Sequence, residues 1–316
     1  MRIKLIKTNS IIILLLATII VHSSINCRDC QSPEPERITY LITPFNINAL
    51  SYDDAPYSGN IALSLDYPFE KDEQGVILFN YRGEKYYHPV QLAQWILQYL
   101  NAYRITNNYD YIKRSNLFAD KLIEISTLSN NALYFPYSFN FTLHGGDILY
   151  SPWYSGMAQG QTLSAFVRLY KMTNEKKYAE IADQIFTSFN NFKVSSNPWT
   201  VMTDSANYYW IEEYPLEIPD HTLNGFIFGI YGLYDYYQLT NNELCKELLQ
   251  AGITTIYHCI DQFRNPGGIS YYCLKHKHIP EASYHQVHID QLNMLFKMTG
   301  ENYFKEMADL FAKDYP

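Results

Sequence analysis

The sequence predicts a mainly α-helical fold, an incomplete (α/α) toroid of about four helical hairpins with a small β-containing N-terminal segment. Four times an apolar helical run ends in a short polar turn built around a threonine, and a second helical run follows. The four threonines are 67, 67 and 59 residues apart, a spacing typical of repeated units that bury their apolar faces against one another. They are Thr106, Thr173, Thr240 and Thr299.

The first 24 residues indicate a secretory signal peptide. Three basic residues precede an apolar run over residues 11–21, and small residues follow at Ser23 and Ser24. The run has about eleven residues, too few to cross a bilayer as a helix. We therefore expect residues 1–24 to be removed and the mature chain to be exported to a periplasm, a Golgi lumen or the extracellular space, without a transmembrane helix.

Charge and cysteine content limit the partners and cofactors. The net charge is −8, and loss of Arg2, Lys4 and Lys7 with the leader makes it −11. Such acidity argues against nucleic acid as a partner, although a local basic cluster can still bind an acidic sugar. Five cysteines in a chain of this length do not indicate a disulfide scaffold, and the lone pair Cys27 and Cys30 is weak evidence for zinc.

Tyrosine is unusually abundant, with 30 residues. One interpretation is that these side chains fill the core and its margins, where an amphipathic ring is useful. The other is a carbohydrate-binding cleft, because an aromatic face complements the apolar C–H face of a sugar ring. The sequence leaves both open.

Residues 25–87 lack helical periodicity and are predicted to form an irregular or β-containing segment. Short runs rich in β-branched and aromatic residues, at 38–42 and 76–79, are the candidate strands. The helical domain, residues 88–316, begins where Pro89 occupies a first helical turn. Its first hairpin closes with a helix over 109–125, and residues 131–153 are typical of a β-hairpin excursion.

The remaining hairpins follow from apolar residues at helical spacing. In the second hairpin, Leu163, Phe166, Val167 and Tyr170 stand at i, i+3, i+4 and i+7, which predicts one buried stripe. The third hairpin is predicted over 223–237 and 243–263, and the fourth from Tyr284 to the end of the chain. Four such pairs arranged in a ring make a small or incomplete toroid.

The stretches that precede the first helices are the candidate active site, since the repeat should bring them to one rim. They cover residues 88–91, 155–161, 212–215 and 284–288. His285 and His288 have no third ligand at metal-binding spacing, so no metal site is predicted. Tyr284, His288 and Gln291 share one helical face, which we expect to line a polar cleft because a core would leave their polar groups unsatisfied.

Several of these stretches carry a family resemblance, which covers roughly residues 85–316 in the same order. The chain resembles the C-terminal domain of D-glucuronyl C5-epimerase, an enzyme of heparosan-type chains with an α/α toroid fold. The matching blocks are Ser151-Pro152-Trp153-Tyr154-Ser155-Gly156-Met157-Ala158-Gln159-Gly160-Gln161, Trp210-Ile211-Glu212-Glu213-Tyr214-Pro215, Leu223-Asn224-Gly225-Phe226, Gly232 to Asp235, and Tyr284-His285-Gln286-Val287-His288-Ile289-Asp290-Gln291-Leu292.

The resemblance implies a polysaccharide uronyl 5-epimerase that needs no cofactor. Inversion at C5 removes a proton beside a carboxylate from one face and returns one to the other, through an enolate-like dianion. Glu213 and Tyr284 match the family's opposing acid/base pair, and Tyr214 and Tyr272 match two further functional tyrosines. A tyrosine with its ordinary pKa near 10 works as an acid without perturbation, which favours Tyr284 or Tyr272 as proton donor and Glu213 as base in one direction.

The implied partner is an acidic, glucuronate-containing polysaccharide, and the resemblance allows a homodimer. Two residues depart from the family's Tyr-Asp-Leu-Arg-His stretch: Cys273 replaces an aspartate, and Lys275 replaces an arginine whose fork would engage an anion. The animal enzymes carry β-rich domains before the toroid, and little here matches them. The residues expected to contact substrate are Lys275, His276, His288, Gln159, Gln161, Trp210 and Asn224.

Three other functions remain as alternatives. A uronate lyase on the same fold starts with the same proton abstraction and then eliminates the C4 substituent. A non-catalytic protein could bind acidic polysaccharide through the same aromatic cleft. A glycoside hydrolase needs two carboxylates flanking the bond, and Glu212 and Glu213 are adjacent in sequence and poorly placed for that role.

Overall fold

The computed structural model describes residues 38–193 and 195–316, and helices dominate the fold in these residues. Eight α-helices form four consecutive hairpins, which confirms the predicted fold class. The pairs are α1 (Pro89–Thr106) with α2 (Asp110–Ile125), α3 (Gly156–Thr173) with α4 (Lys176–Thr187), α5 (Leu223–Thr240) with α6 (Glu243–Cys259), and α7 (Ala282–Thr299) with α8 (Asn302–Asp314).

The repeated threonine turns share one hydrogen-bonding pattern. Thr173 Oγ1 donates to the Leu169 carbonyl at 2.8 Å and accepts from the backbone N–H of Glu175 at 3.2 Å, so one hydroxyl closes α3 and starts the next turn. Asn174, between them, adopts the left-handed conformation with φ of 58°, which asparagine tolerates better than most residues. The same pair of bonds forms at Thr106, Thr240 and Thr299.

The first helix of each hairpin lies inside and the second outside. Fourteen of the eighteen residues of α3 are buried, against four of the twelve in α4, whose polar face meets solvent. The inner helices α1, α3, α5 and α7 pack in chain order. Helices α3 and α5 approach closely because glycines face each other: a Cβ on Gly160 would lie 2.5 Å from the Cα of Gly229.

Short antiparallel hairpins connect these helices and approach the candidate site. Two of them lie within or beside residues 131–153, as predicted, whereas the prediction of a strand at 38–42 is wrong: those residues form no strand. The pairs are β1 (Phe79–Tyr81) with β2 (Glu84–Tyr86), β3 (Thr127–Ser129) with β4 (Ala132–Tyr134), β5 (Phe141–Thr142) with β6 (Ile148–Leu149), and β7 (Val201–Thr203) with β8 (Tyr209–Ile211).

The segment before α1 packs along the helices by polar contacts to its backbone. Asn101 Nδ2 donates to the carbonyls of Tyr57 and Asn60, and Gln250 Nε2 donates to that of Phe45. Residues 39–87 therefore belong to the same compact unit as the helices. The predicted signal peptide, residues 1–24, lies outside the described residues. Among the helices that are described, none combines the length and the apolar character that crossing a membrane requires.

Candidate active site

A cavity of about 390 Å³ opens where the N-terminal ends of the four inner helices converge. Val90 of α1, Met157 of α3, Asn224 of α5 and Tyr284 of α7 each line it, all within the first turn of their helices or close to it. Each of the four stretches predicted to share a rim contributes to the lining, which confirms that prediction. The arrangement also points the positive ends of four helix dipoles toward the cavity.

One wall of the cavity is aromatic and comes largely from the hairpin excursion between α2 and α3. Tyr137 and Trp153 stack at a ring separation of 3.9 Å, and Trp153 Nε1 donates to the Phe139 carbonyl at 2.9 Å, which fixes the indole. Phe141 stacks at 6.0 Å on Tyr214 from the opposite side of the site. These rings form a rigid, apolar surface of the kind that carbohydrate-binding sites use.

Glu213 and three tyrosines form the polar centre of the cavity. Tyr272 Oη donates toward both Glu213 oxygens at 3.4 Å, and the hydroxyls of Tyr214 and Tyr272 are 3.2 Å apart. The rings of Tyr272 and Tyr284 meet edge to face at 5.2 Å. The structure thus brings together all four residues that the family resemblance marks as catalytic, and all four line the cavity.

Glu213 points into the cavity because of strand alternation and a glycine. Glu212 and Glu213 follow β8, and successive side chains of extended backbone point to opposite faces. Glu212 therefore points into the core, where its Oε1 lies 2.6 Å from His221 Nδ1. Gly225, in the first turn of α5, leaves room for the Glu213 side chain. A Cβ on Gly225 would lie 2.1 Å from Glu213 Oε2.

Burial sets the protonation of these groups. It raises the pKa of Glu213 from 4.5 to about 7, against hydrogen bonds from Tyr214 and Tyr272 that lower it. Burial also raises the pKa of Tyr214 and Tyr272 well above 10, and the nearby Glu213 charge adds to the effect. The pKa of Tyr284 is raised, mainly by burial. Near neutral pH the tyrosines keep their protons, whereas Glu213 gains and loses one readily.

The lining holds no lysine or arginine among the residues that the structure describes. His88 caps α1 by accepting a hydrogen bond from Gln91 N–H at Nδ1, and burial lowers its pKa to about 4, so it is neutral. Asn224 Oδ1 is buried without a hydrogen-bond partner. Donors for an anion inside the cavity are therefore uncharged: hydroxyls, the side-chain amides of Gln94 and Asn224, the Nε2–H of His88 and the backbone amides at the helix ends.

Two of the predicted substrate contacts lie beside the cavity and not in its lining. Lys275 Nζ and His276 Nε2 both approach Asp147 Oδ2, at 2.5 and 2.8 Å. The hydrogen bond from Lys275 is the main reason that the pKa of Asp147 is lowered. The arginine position of the family pattern is thus occupied here by a lysine already engaged with a carboxylate.

Three more predicted contacts are buried in the surrounding core. Gln159 Nε2 donates to the Leu133 carbonyl and to Ser188 Oγ, both at 2.8 Å, and so joins β4 to the end of α4. Gln161 is fully buried in α3. Trp210 stacks on His221 at 4.0 Å. None of the three lines the cavity, whereas Asn224 does.

The polar face predicted for α7 divides between the cavity and the core. Tyr284 lines the cavity, but His288 and Gln291 are buried. His288 Nδ1 lies 2.7 Å from Ser270 Oγ and Gln291 Nε2 donates to the Asn224 carbonyl at 2.9 Å, whereas His288 Nε2 and Gln291 Oε1 have no hydrogen-bond partner among the described residues. The expectation that this face as a whole lines a cleft is wrong. Each of the two buried side chains pairs one polar atom with a neighbouring segment, at the Ser270 hydroxyl or at the Asn224 carbonyl.

Sequence reasoning missed the residues that the chain brings in from the excursion and the loops. Phe139, Phe141 and Tyr137 line the cavity, and their only sequence signal was the alternation of aromatic residues there. His144 and Asp220 meet beside Tyr272, with Nε2 3.3 Å from Oδ2. They are far apart in sequence, and no local pattern connects them.

The fold places the chain among the α/α toroid proteins. It is similar to a sugar epimerase from a ruminal bacterium, with a TM-score of 0.53 and 14% identity over 82% of this chain and 66% of that one. It is also similar to cellobiose 2-epimerase from Bacillus thermoamylovorans B4167, with a TM-score of 0.52 and 15% identity over 78% of this chain and 66% of that one. At these identities the likeness concerns the fold.

Sequence comparison identifies the family. Residues 129–313 match the family described as D-glucuronyl C5-epimerase C-terminus, and the chain belongs to that family. The D-glucuronyl C5-epimerase of Caenorhabditis elegans is 29% identical over 175 residues, which are 50% of this chain and 28% of that protein. This chain therefore matches less than a third of that relative's length.

Proposed function

We propose that this chain is a polysaccharide uronyl 5-epimerase that converts D-glucuronate to L-iduronate residues in a heparosan-like chain. The observation that carries the proposal is a buried carboxylate with a pKa of about 7 in hydrogen-bonding reach of a tyrosine cluster, inside an aromatic cavity. Family membership supports the proposal independently. The assignment of glucuronate and of heparosan rests on the family resemblance.

In the proposed reaction, ionised Glu213 removes the C5 proton from one face of the uronate ring. The adjacent carboxylate takes up the electron pair and becomes an enolate-like dianion, whose charge must be stabilised in a site that excludes water. Tyrosine hydroxyls and the N-terminal ends of the inner helices face the cavity, and they supply hydrogen-bond donors for the dianion. A base with a pKa near the working pH is well matched to this step.

The second step returns a proton to the opposite face. Tyr284 is the donor that we assign, because it keeps its proton at neutral pH, packs against Tyr272 and is 39% exposed, so solvent can reprotonate it. Tyr272 and Tyr214 hydrogen-bond around Glu213 and orient it. In the reverse direction ionised Tyr284 removes the C5 proton and protonated Glu213 donates one to the other face.

The aromatic wall fits the apolar faces of sugar rings, and Asn224 offers an unpaired amide oxygen to a hydroxyl. Lys275 and His276 would meet an acidic group of the polymer at the edge of the site. We assign Gln159, Gln161, Trp210 and His288 to supporting the walls, since all are buried away from the cavity. We also propose that the mature protein acts after export.

A hydrolase mechanism has less support. Among the described residues that line the cavity, Glu213 is the one carboxylate, and Glu212 is buried against His221. Both retaining and inverting hydrolysis require a second carboxyl group across the bond. Uronate elimination shares the first step with epimerisation and is distinguished by its product.

Loss of the C5 label and inversion at C5 can be measured separately. On oligosaccharides deuterated at C5, Glu213→Gln should lower the rates of label loss and of inversion by at least about 100-fold, because the substitution removes the base.

Tyr284→Phe should still exchange the C5 label of one epimer, because Glu213 can return a solvent-derived proton to the same face. It should not invert that epimer. Glu217→Gln and Tyr150→Phe change an exposed carboxylate and an exposed phenol outside the cavity and are the matched controls. Inversion by Glu213→Gln at the wild-type rate would refute the assignment of Glu213 as the base.

A further inference from the structure

Three side chains from separate loops meet behind Tyr272 with the chemistry of metal ligands. His144 lies in a short 3₁₀ turn, His144–Gly146, and Asp220 and Cys273 lie in the loops before α5 and α7. His144 Nε2 is 3.0 Å from Cys273 Sγ and 3.3 Å from Asp220 Oδ2. One nitrogen, one sulfur and one oxygen thus lie within 4.8 Å of one another.

The backbone holds two of these ligands in register. Thr222 and Cys273 form an antiparallel bridge, and the backbone N–H of Leu274 donates to the Asp220 carbonyl at 3.2 Å. Thr222 Oγ1 also donates to Asp220 Oδ2 at 2.9 Å, which orients the carboxylate. Such a hydrogen bond to a ligand atom is typical of the outer shell of metal sites.

Burial makes the cluster unusual as a set of protein groups alone. The side chain of Asp220 is 1% exposed, and its Oδ1 has no hydrogen-bond partner. Cys273 is fully buried, and the side chain of His144 is 13% exposed. A buried carboxylate with one oxygen lacking a hydrogen bond is costly, and a cation held by both Asp220 oxygens would offset that cost.

We propose that His144, Asp220 and Cys273 bind one divalent d-block cation of the zinc type. Tetrahedral zinc with bonds of about 2.0–2.3 Å places its ligand atoms roughly 3.3–3.6 Å apart, and the two separations from His144 Nε2, 3.0 Å and 3.3 Å, are close to this range. Thiolate and imidazole favour such a cation over magnesium or calcium, which take oxygen ligands. The proposal does not depend on the proposed epimerase function.

Three protein ligands leave a fourth position open, and its surroundings suggest what it would serve. A second cavity of about 300 Å³ is lined by His144, Tyr214, Tyr272 and Tyr284, and so borders both the metal cluster and the tyrosine cluster. A cation there would place a positive charge beside a cavity whose described lining holds no lysine or arginine. An anionic ligand group could occupy the open position.

No metal site was predicted here, because these ligands do not stand at the short spacing of a metal-binding motif. His144, Asp220 and Cys273 are separated by 76 and 53 residues, and folding alone brings them together. Cys273 is also one of the two departures from the family pattern noted above. The thiolate ligand of Cys273 is therefore a feature of this chain that the family pattern lacks.

Cobalt(II) titration of the mature protein tests the site, because a cobalt–thiolate bond gives a charge-transfer band in the near ultraviolet. The parent protein carries Cys27→Ser and Cys30→Ser, so that the N-terminal Cys-x-x-Cys cannot contribute. We expect one equivalent of Co²⁺ to bind with this band, and Zn²⁺ to displace it. Cys259→Ser, which removes another buried free thiol in α6, is the control and should behave as the parent.

Cys273→Ser should remove the band, and Asp220→Asn should weaken cobalt binding at least about tenfold with the band retained. Circular dichroism of each variant establishes that it is folded. Absence of the band in the folded parent, or its persistence in Cys273→Ser, would overturn the proposal. Activity on polysaccharide plays no part in this test, so its outcome is independent of the epimerase assignment.

Discussion

Ionised Glu213 lowers the stability of the folded protein, and the proposed chemistry requires this ionised form. Its pKa rises from 4.5 to about 7 on folding, so the folded state holds this proton more tightly than the unfolded state. The stability contributed by this group therefore falls as pH rises from about 4.5 to 7, and stays low above that. The shift corresponds to a cost of about 3 kcal/mol for ionised Glu213.

Glu213→Gln should consequently stabilise the protein at alkaline pH. At pH 8 we expect its free energy of unfolding to exceed that of the wild type by up to about 3 kcal/mol, and at pH 4 the two should agree. Urea denaturation at the two pH values measures both differences. Glu217→Gln, at an exposed position, should show no such pH-dependent gain. A gain of equal size at pH 4 and pH 8 would show that packing is its cause and not ionisation.

The pKa of Glu213 should also determine how the reaction rates depend on pH. In the direction in which Glu213 is the base, kcat/KM should fall as pH drops below about 7, because the carboxylate becomes protonated. In the opposite direction kcat/KM should follow the same profile, because interconversion of the epimers takes up no proton and its equilibrium constant fixes the ratio of the two values. The tyrosines, with raised pKa values, should add no transition near neutral pH. Initial rates of inversion from each epimer give the two profiles, and rates that do not fall below about pH 7 would contradict the assignment of Glu213 as the base.

Residue identities at the site could be predicted only in part. Glu213, Tyr214, Tyr272 and Tyr284 were identified through the family resemblance, and the structure places them in one cavity. Long-range contacts could not be predicted, because hydrogen-bond partners such as Asp147 for Lys275 are 128 residues away. A polar side chain on an inner helix can bind substrate or satisfy a loop, and sequence alone does not distinguish the two.

At the scale of elements, the start of α5 is built around Glu213. Gly225→Ala places a methyl group where Glu213 Oε2 lies, so the carboxylate must move although alanine favours the helix. We expect activity to fall by about 100-fold, the cost of misplacing a catalytic group by about 1 Å. Gly252→Ala in α6 is the control, since its Cβ would meet only the movable Ile230 side chain at 3.2 Å. Equal activities of the two variants would contradict this role of Gly225.

The threonine turns make a separate prediction about stability. Asn174 has φ of 58°, a conformation that costs most non-glycine residues about 1–2 kcal/mol. Asn174→Ala should therefore lower the free energy of unfolding by about 1 kcal/mol, whereas Asn174→Gly should leave it nearly unchanged. Chemical denaturation of the two variants measures the difference. A larger loss with glycine than with alanine would refute this account of the turn.

Elements were predictable where a pattern repeats. The helices were identified to within a few residues because apolar spacing and turn chemistry agree at each hairpin. The hairpin of β7 and β8 was missed, since strands of three residues are too short to show an alternating pattern. The strand expected at 38–42 does not form because β propensity needs a pairing partner. Leu41 N–H donates to the Asn207 carbonyl, in the turn between β7 and β8, but no strand pair results.

At the scale of the whole molecule, the hairpin repeat explains why a site forms at all. Because the four hairpins repeat in the same sense, the N-terminal ends of the inner helices α1, α3, α5 and α7 converge on one cavity. The repeat spacing was sufficient to predict this convergence. The absence of lysine and arginine from the described lining was not predictable, because it depends on which side chains of the connecting loops turn inward.

The most direct test of the central claim is NMR spectroscopy of heparosan and N-sulfated heparosan oligosaccharides incubated with the mature protein in D₂O. We expect deuterium at C5 of the uronate and new iduronate signals, both lost in Glu213→Gln. Unsaturated uronate in place of iduronate would identify a lyase. Binding of the oligosaccharides without any C5 exchange would contradict the epimerase assignment for these substrates and leave a polysaccharide-binding protein.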